Sequence, residues 1–445
     1  MSRRRATPDN GTAGVAGVGL GILLGVGVFA GCGDDTAPVV AGSSGAQTSS
    51  STASSLGSET TAGPSSSSSS SGNGPTSGSS TTSSSSSTTG EPAVCGDGQH
   101  EPGELCFGDL IALGDVGESP TGLAAADLDG DGHLDLALAA TGSSSVTVVY
   151  GDGTGALTFG QSILSGLQPR GVAIADFDDN GELDLAVANL GTDYVAVYAQ
   201  NKGAFGSQQP EPAGERTRNV AVGDLDGDDN LDMVAVAEES GTIEVLMGDG
   251  TGMFAAAVGY DTGPQPYDVA LGDLNGDGIL DAVTADFGGT TISVLRGIGD
   301  GTFQAASPET VASGSRSISV VDFDEDGALD ILAPSFDAQV VSLLLGQGDG
   351  TFGPFIALPV GQGPYVSTVA DMDADGRLDL VSVARDAGSV SIVVPAQDGT
   401  FAETEIFVGL SPLALVVADF NEDGSPDVVV TDSLGGTVSV LPSDP

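Results

Sequence analysis

A nine-residue acidic segment returns seven times along this chain at an almost constant interval. It reads DLDGDGHLD from Asp127, DFDDNGELD from Asp176, DLDGDDNLD from Asp224 and DLNGDGILD from Asp273. It continues as DFDEDGALD from Asp322, DMDADGRLD from Asp371 and DFNEDGSPD from Asp419. The intervals are 49, 48, 49, 49, 49 and 48 residues. Self-similarity at such a period marks a repeat architecture, in which each unit buries its apolar faces only against its neighbours. About 340 residues are therefore read as one array rather than as several separate domains.

Each unit has the same internal order. Ahead of the acidic segment stands a short apolar run such as GVAIAD (171–176) or DVALGD (268–273), and behind it another such as LDLAVAN (183–189) or LDAVTAD (280–286). A third run follows, VAVYAQ (195–200), ISVLRG (292–297) or VSLLLG (341–346). Then comes GDGTG (248–252), GDGTF (299–303) or QDGTF (397–401), whose Asp-Gly suits the positive φ of a tight hairpin turn. A weaker fourth run ends at a Gly/Pro-containing link. Short β-branched runs bounded by turns are strands. The fold class expected is all-β, a seven-bladed β-propeller of four-stranded blades. The last unit stops after its third strand, TVSVLP (437–442), while FGDLIALG (107–114) is a strand without a unit. Pairing the two closes the ring and removes the open sheet edges.

The acidic segment has the chemistry of a calcium loop. Ca²⁺ takes six to eight oxygens, and carboxylates at alternate positions of a short turn can wrap one ion. The side-chain ligands expected are the first, third, fifth and ninth residues of each copy. These are Asp127, Asp129, Asp131 and Asp135; Asp176, Asp178, Asn180 and Asp184; Asp224, Asp226, Asp228 and Asp232; Asp273, Asn275, Asp277 and Asp281. The remaining sets are Asp322, Asp324, Asp326 and Asp330; Asp371, Asp373, Asp375 and Asp379; Asp419, Asn421, Asp423 and Asp427. Asn still offers an oxygen but one charge less, so copies two, four and seven are expected to bind more weakly. Copy three has Asp229 where the others have the turn Gly, which demands a left-handed backbone. An EF-hand needs Glu at the twelfth position, where the first copy has Leu138. A dockerin would place helices around two such loops. The metal-free alternative is an Asp-rich turn held by its own Asx hydrogen bonds. Up to seven structural Ca²⁺ ions are expected, since each loop would tie two strands of one blade.

With these residues in view, the units over about 107–442 resemble the FG-GAP/VCBS repeats of integrin-alpha-like propellers. The Phe-Gly part of that pattern stands at Phe159-Gly160, Phe205-Gly206 and Phe352-Gly353. The front of the chain differs in character. Arg3, Arg4 and Arg5 precede an apolar run, VAGVGLGILLGVGVFA, that ends in Gly31-Cys32. This is the shape of a secretory signal. Cys after Ala-Gly resembles a bacterial lipobox, which implies that residues 1–32 are a lipoprotein signal and that Cys32 carries lipid; an uncleaved membrane anchor is the alternative. Residues 33–94 include a Ser/Thr/Gly tract that cannot form a core and reads as a tether. Residues 95–106 contain the two remaining cysteines, Cys95 and Cys106, for which a disulfide is the pairing expected of an exported chain; metal binding by the two cysteines is the alternative. The propeller occupies 107–445. The expected location is the bacterial cell envelope, at the outer membrane or the cell surface, with the membrane touched only through the anchor.

A formal charge of −51 excludes the basic face that nucleic acid or an anionic lipid surface requires. Only two histidines, His100 and His133, are present, which leaves no His-based zinc site or Ser-His-Asp triad within the repeats. One other register stands out. Six residues before each leading Asp lie Thr121, Arg170, Arg218, Tyr267, Arg316, Tyr365 and Leu413. Propeller geometry places them around the channel mouth opposite the metal loops. Such a ring would hold a carboxylate, an acidic glycan or a protein loop; alternatively these side chains pack between blades. The functional expectation is a monomeric calcium-binding module for protein or carbohydrate recognition or adhesion. The alternative is a propeller-based polysaccharide lyase or hydrolase, for which no catalytic constellation is found in the sequence.

Overall fold

The structure, a computed structural model, describes residues 105–396 and 399–443. Every regular element among them is a β-strand, and seven four-stranded antiparallel sheets form the blades of a β-propeller. Blade one runs Pro120–Ala126, Asp135–Ala140, Ser145–Gly151 and Leu157–Leu164, in that spatial order. Blades three to six repeat this pattern within residues 217–261, 266–310, 319–359 and 364–407. Blade two (Pro169–Ala175, Asp184–Asn189, Tyr194–Tyr198, Gln209–Pro212) departs from it once. A small hairpin, Gln200–Asn201 with Ala204–Phe205, stands where other blades carry the Asp-Gly-Thr turn.

Blade seven shows how the ring closes. Pro412–Ala418, Asp427–Asp432 and Thr437–Leu441 come from the end of the chain, and the fourth strand is Ile111–Gly114. Ile111 lies opposite Val440 and Gly114 opposite Thr437. The pairing extends outward through the Gly108 N–H, which donates to the Pro442 carbonyl at 2.9 Å, and through a bridge between Phe107 and Ser443. Cys106 is disulfide-bonded. Its expected partner Cys95, the signal segment with Cys32, and the tether lie outside the described residues.

The core is not central but divided among the seven blade junctions. Strand alternation explains why: on the second strand of blade one, Leu136 and Leu138 pack toward blade seven, while Ala137 and Ala139 pack toward blade two. The same strand is buried along its whole length, so it reads as an unbroken apolar run. Equivalent clusters fill the other five junctions. The first strands of successive blades touch one another around the axis. They approach so closely that a Cβ on Gly122 would stand 1.9 Å from the Arg170 carbonyl oxygen.

Candidate metal centres and the opposite face

All seven acidic loops connect the first strand of a blade to the second, so they share one face. Their backbones repeat in detail. The first Asp accepts the N–H of the sixth residue in every copy, from Gly132 to Asp127 at 2.9 Å through Gly424 to Asp419 at 2.9 Å. The fifth residue accepts the N–H of the seventh in every copy, as His133 gives to Asp131 at 2.9 Å. Asp229 adopts φ +69°, the left-handed conformation its position requires. The fourth residue is left-handed in every copy too, including Asp179, Glu325, Ala374 and Glu422, which are not glycine. Sequence reasoning missed this, although Gly130, Gly227 and Gly276 at that position were a signal.

The ninth Asp is the buried anchor of each loop. Its Oδ2 accepts the N–H of the second residue: 2.8 Å from Leu128 to Asp135, 3.0 Å from Phe177 to Asp184, and likewise elsewhere. Its Oδ1 accepts the N–H found sixteen residues on, at the end of the third strand, in six copies. In copy six that residue is Pro395, which has no N–H, and the buried Asp379 Oδ1 has no partner. Burial raises the ninth carboxyl in every loop: to about 6 for Asp184, Asp232 and Asp427, to about 7 for Asp379, and upward for Asp135, Asp281 and Asp330.

In five loops the first, third and ninth carboxylates converge, each trio offering oxygens within 4.8 Å of one another: Asp127, Asp129, Asp135; Asp176, Asp178, Asp184; Asp224, Asp226, Asp232; Asp322, Asp324, Asp330; Asp371, Asp373, Asp379. The fifth residue stands outside these trios. Loops four and seven have Asn275 and Asn421 at the third position, so their carboxylate sets are smaller. These clusters could hold metal ions. One observation tests whether a divalent cation fits. The buried carboxylate oxygens without a partner, among the described residues, are Oδ1 of Asp178, Asp322, Asp371 and Asp379. All four belong to the trios. A carboxylate oxygen has two lone pairs, so those already accepting one N–H can still coordinate an ion.

Neighbouring blades cap these loops. Carbonyls of the second residue accept hydrogen bonds from the next blade: Gly155 to Phe420 at 3.1 Å, Gly252 to Phe177 at 2.9 Å, Gly301 to Leu225 at 3.3 Å. In blade two the Gln200 side chain does this for Leu128, at 2.7 Å. His133 and Glu422 join blades one and seven on the same face, with Nδ1 and Oε1 2.5 Å apart.

At the opposite mouth the seven register residues are all buried, Arg316 the most exposed at 7%. Thr121 Oγ1 lies 2.8 Å from Thr141 Oγ1, and Leu413 joins an apolar junction. Arg170 is buried beside the close approach at Gly122. Arg218 gives Nη1 to Glu238 at 2.7 Å and covers the Tyr267 ring at 3.5 Å. Tyr267 stacks on Phe287, and Tyr365 meets Phe336 edge to face. The structure therefore packs this register. A backbone device aims it: the ladder between first and second strands shifts at this point in six blades, and in blade five the first strand is shortened to Ser319–Val321. A bulge re-aims a side chain. The signal for it, missed in the sequence, is the Pro before the register residue at Pro120, Pro169, Pro266, Pro364 and Pro412.

Fold and loops together define a seven-bladed propeller with an acidic turn in every blade. The model of the FG-GAP-like repeat matches residues 127–187, 176–235, 230–284, 322–382 and 371–430, more than half of the chain. The protein belongs to this FG-GAP-like repeat family. No match is found among the curated proteins. Solved structures of similar fold include BBS1N in complex with ARL6DN, at 13% identity and TM-score 0.54 over 77% of this chain and 97% of that one. A virginiamycin B lyase from Staphylococcus aureus aligns at 11% identity and TM-score 0.51 over 75% and 98%. A putative 6-phosphogluconolactonase from Bacteroides uniformis aligns at 14% and 0.51 over 65% and 89%. At such identities the likeness is one of fold alone.

Proposed function

We propose that this protein is a calcium-fastened recognition module, exported and held in a bacterial cell envelope by lipid on Cys32. A propeller of FG-GAP-like repeats fits a recognition or adhesion role. The observation that carries the calcium reading is that, among the described residues, the partnerless buried carboxylate oxygens are confined to the loop trios. Ca²⁺ suits an all-oxygen site of irregular geometry better than Mg²⁺, which demands a near-ideal octahedron. Seven such ions would offset about 14 of the 51 formal negative charges. The ions fasten; the ligand is met on the other face. The closing strand enters at the metal-loop end, where Phe107 bridges Ser443 and the Ser443 N–H binds Asp427.

The test is capture from solubilised cell envelope, together with a glycan array, using calcium-replete and metal-stripped protein. Capture that disappears on stripping and returns with calcium is expected. Calcium-replete protein that retains neither protein nor glycan contradicts the recognition role.

A further inference from the structure

Arg216, Arg218, Arg316 and Arg385 lie over blades three to six at the mouth opposite the metal loops, and they differ in how their charge is met; Arg216 Nε stands 3.4 Å from Glu238 Oε1. Arg218 pairs with the buried Glu238, as described. Arg385 Nε stands 3.6 Å from Asp386 Oδ1. Arg316 has aromatic neighbours instead. Its guanidinium carbon is 4.2 Å from the ring centre of Phe287, 4.5 Å from that of Phe336, and 5.3 Å from those of both Tyr267 and Tyr365. Nε and Nη1 are buried with no hydrogen-bond partner. Among the described residues no carboxylate comes within ion-pair distance of it.

We propose that Arg316 is a carboxylate-binding site whose ligand is an Asp or Glu side chain on a loop of a partner protein. The proposal rests on the recognition reading above and names the chemistry of its ligand. Aromatic faces attract a cation through their quadrupole but offer no acceptor in the plane of the guanidinium, where its five donors lie. A desolvated charge in this state is costly until an anion meets it. The four rings around it hold the guanidinium in place, and a carboxylate meets it through Nη2, the nitrogen outside the buried partnerless set, in a charge-assisted hydrogen bond. The first strand of blade five is shortened to Ser319–Val321, and Arg316 sits outside it, its N–H donating to the Pro334 carbonyl at 3.1 Å beside the Ser315–Ser335 bridge.

The surroundings choose between a protein loop and an acidic polysaccharide. The loops of this face carry exposed Glu215, Glu239, Asp261, Asp337 and Asp386. A polyuronate would bring a row of carboxylates across these acids and be repelled. One carboxylate flanked by Lys or Arg satisfies the centre and the rim together.

The experiment uses the calcium-replete full chain and calorimetric titration with a capped peptide, Gly-Lys-Asp-Lys-Gly. Its Asn twin and an oligoglucuronate serve as controls. Saturable binding of the Asp peptide is expected, at least tenfold weaker with the Asn twin and with Arg316→Gln, and intermediate with Arg316→Lys. The Asp/Asn contrast on the unaltered protein, with a shift of the Arg316 Nε–H resonance, carries the test should a variant fail to fold. Absence of Asp-peptide binding, or equal binding by a folded Arg316→Gln protein, overturns the site. Tighter binding of oligoglucuronate overturns the protein-loop assignment. Envelope capture that persists while the Asp peptide fails removes this site and leaves the recognition role standing, whereas loss of both removes that role.

Discussion

The ninth Asp of each loop concentrates the chemistry of the fold in one side chain. It is buried, it accepts a backbone N–H from its own loop and, in six copies, another from the end of the third strand, and burial raises its carboxyl above the ordinary range. A raised acid in the folded state means that the folded chain binds more protons than the unfolded chain between the two values. Stability of the metal-free protein is therefore lost as pH rises through about 6 to 7, the range of Asp184, Asp232, Asp427 and Asp379. Buried Asp268 and Asp286, both near 6, act in the same direction. With Ca²⁺ bound the sign reverses, because protons compete with the ion for the same oxygens. Resin-stripped protein should melt at a higher temperature at pH 5.5 than at pH 7.5, and calcium-replete protein at a lower one. A stripped sample whose melting temperature falls on acidification over this interval would contradict the account.

At the scale of the element, close approach of the first strands sets the geometry of the axis. Gly122 has no room for a Cβ against the Arg170 carbonyl, which is backbone and cannot swing aside. Gly122→Ala should destabilise the protein by about 1–3 kcal/mol, read from denaturant unfolding; a loss below measurement error would show that the blades can separate freely. How much of this was legible in the sequence differs between elements. Strands two and three were clear because both of their faces are buried in blade junctions, giving short apolar runs. The closing strand Ile111–Gly114 was clear because one unit lacked a fourth strand and another segment lacked a unit. The shift at the mouth register was not, because it depends on how neighbouring blades crowd the axis. Nor could the sequence foretell that Pro395 deprives Asp379 of its donor, a contact that arises only from the sixteen-residue register between loop and third strand.

For the whole molecule, the same loops serve two purposes. Each ties the first and second strands of its blade, and in four places the next blade reaches back to a loop carbonyl. Local order in one loop is thereby passed to a neighbour, and the closing strand makes the series continuous. A ring built this way should lose stability as a unit when its fasteners leave. The measurement that tests this most directly is the melting temperature of stripped protein titrated with CaCl₂. One cooperative transition is expected, rising with each increment of free Ca²⁺, as binding to the native state alone requires. A melting temperature that is the same with millimolar calcium as without it would contradict the claim that calcium fastens the propeller.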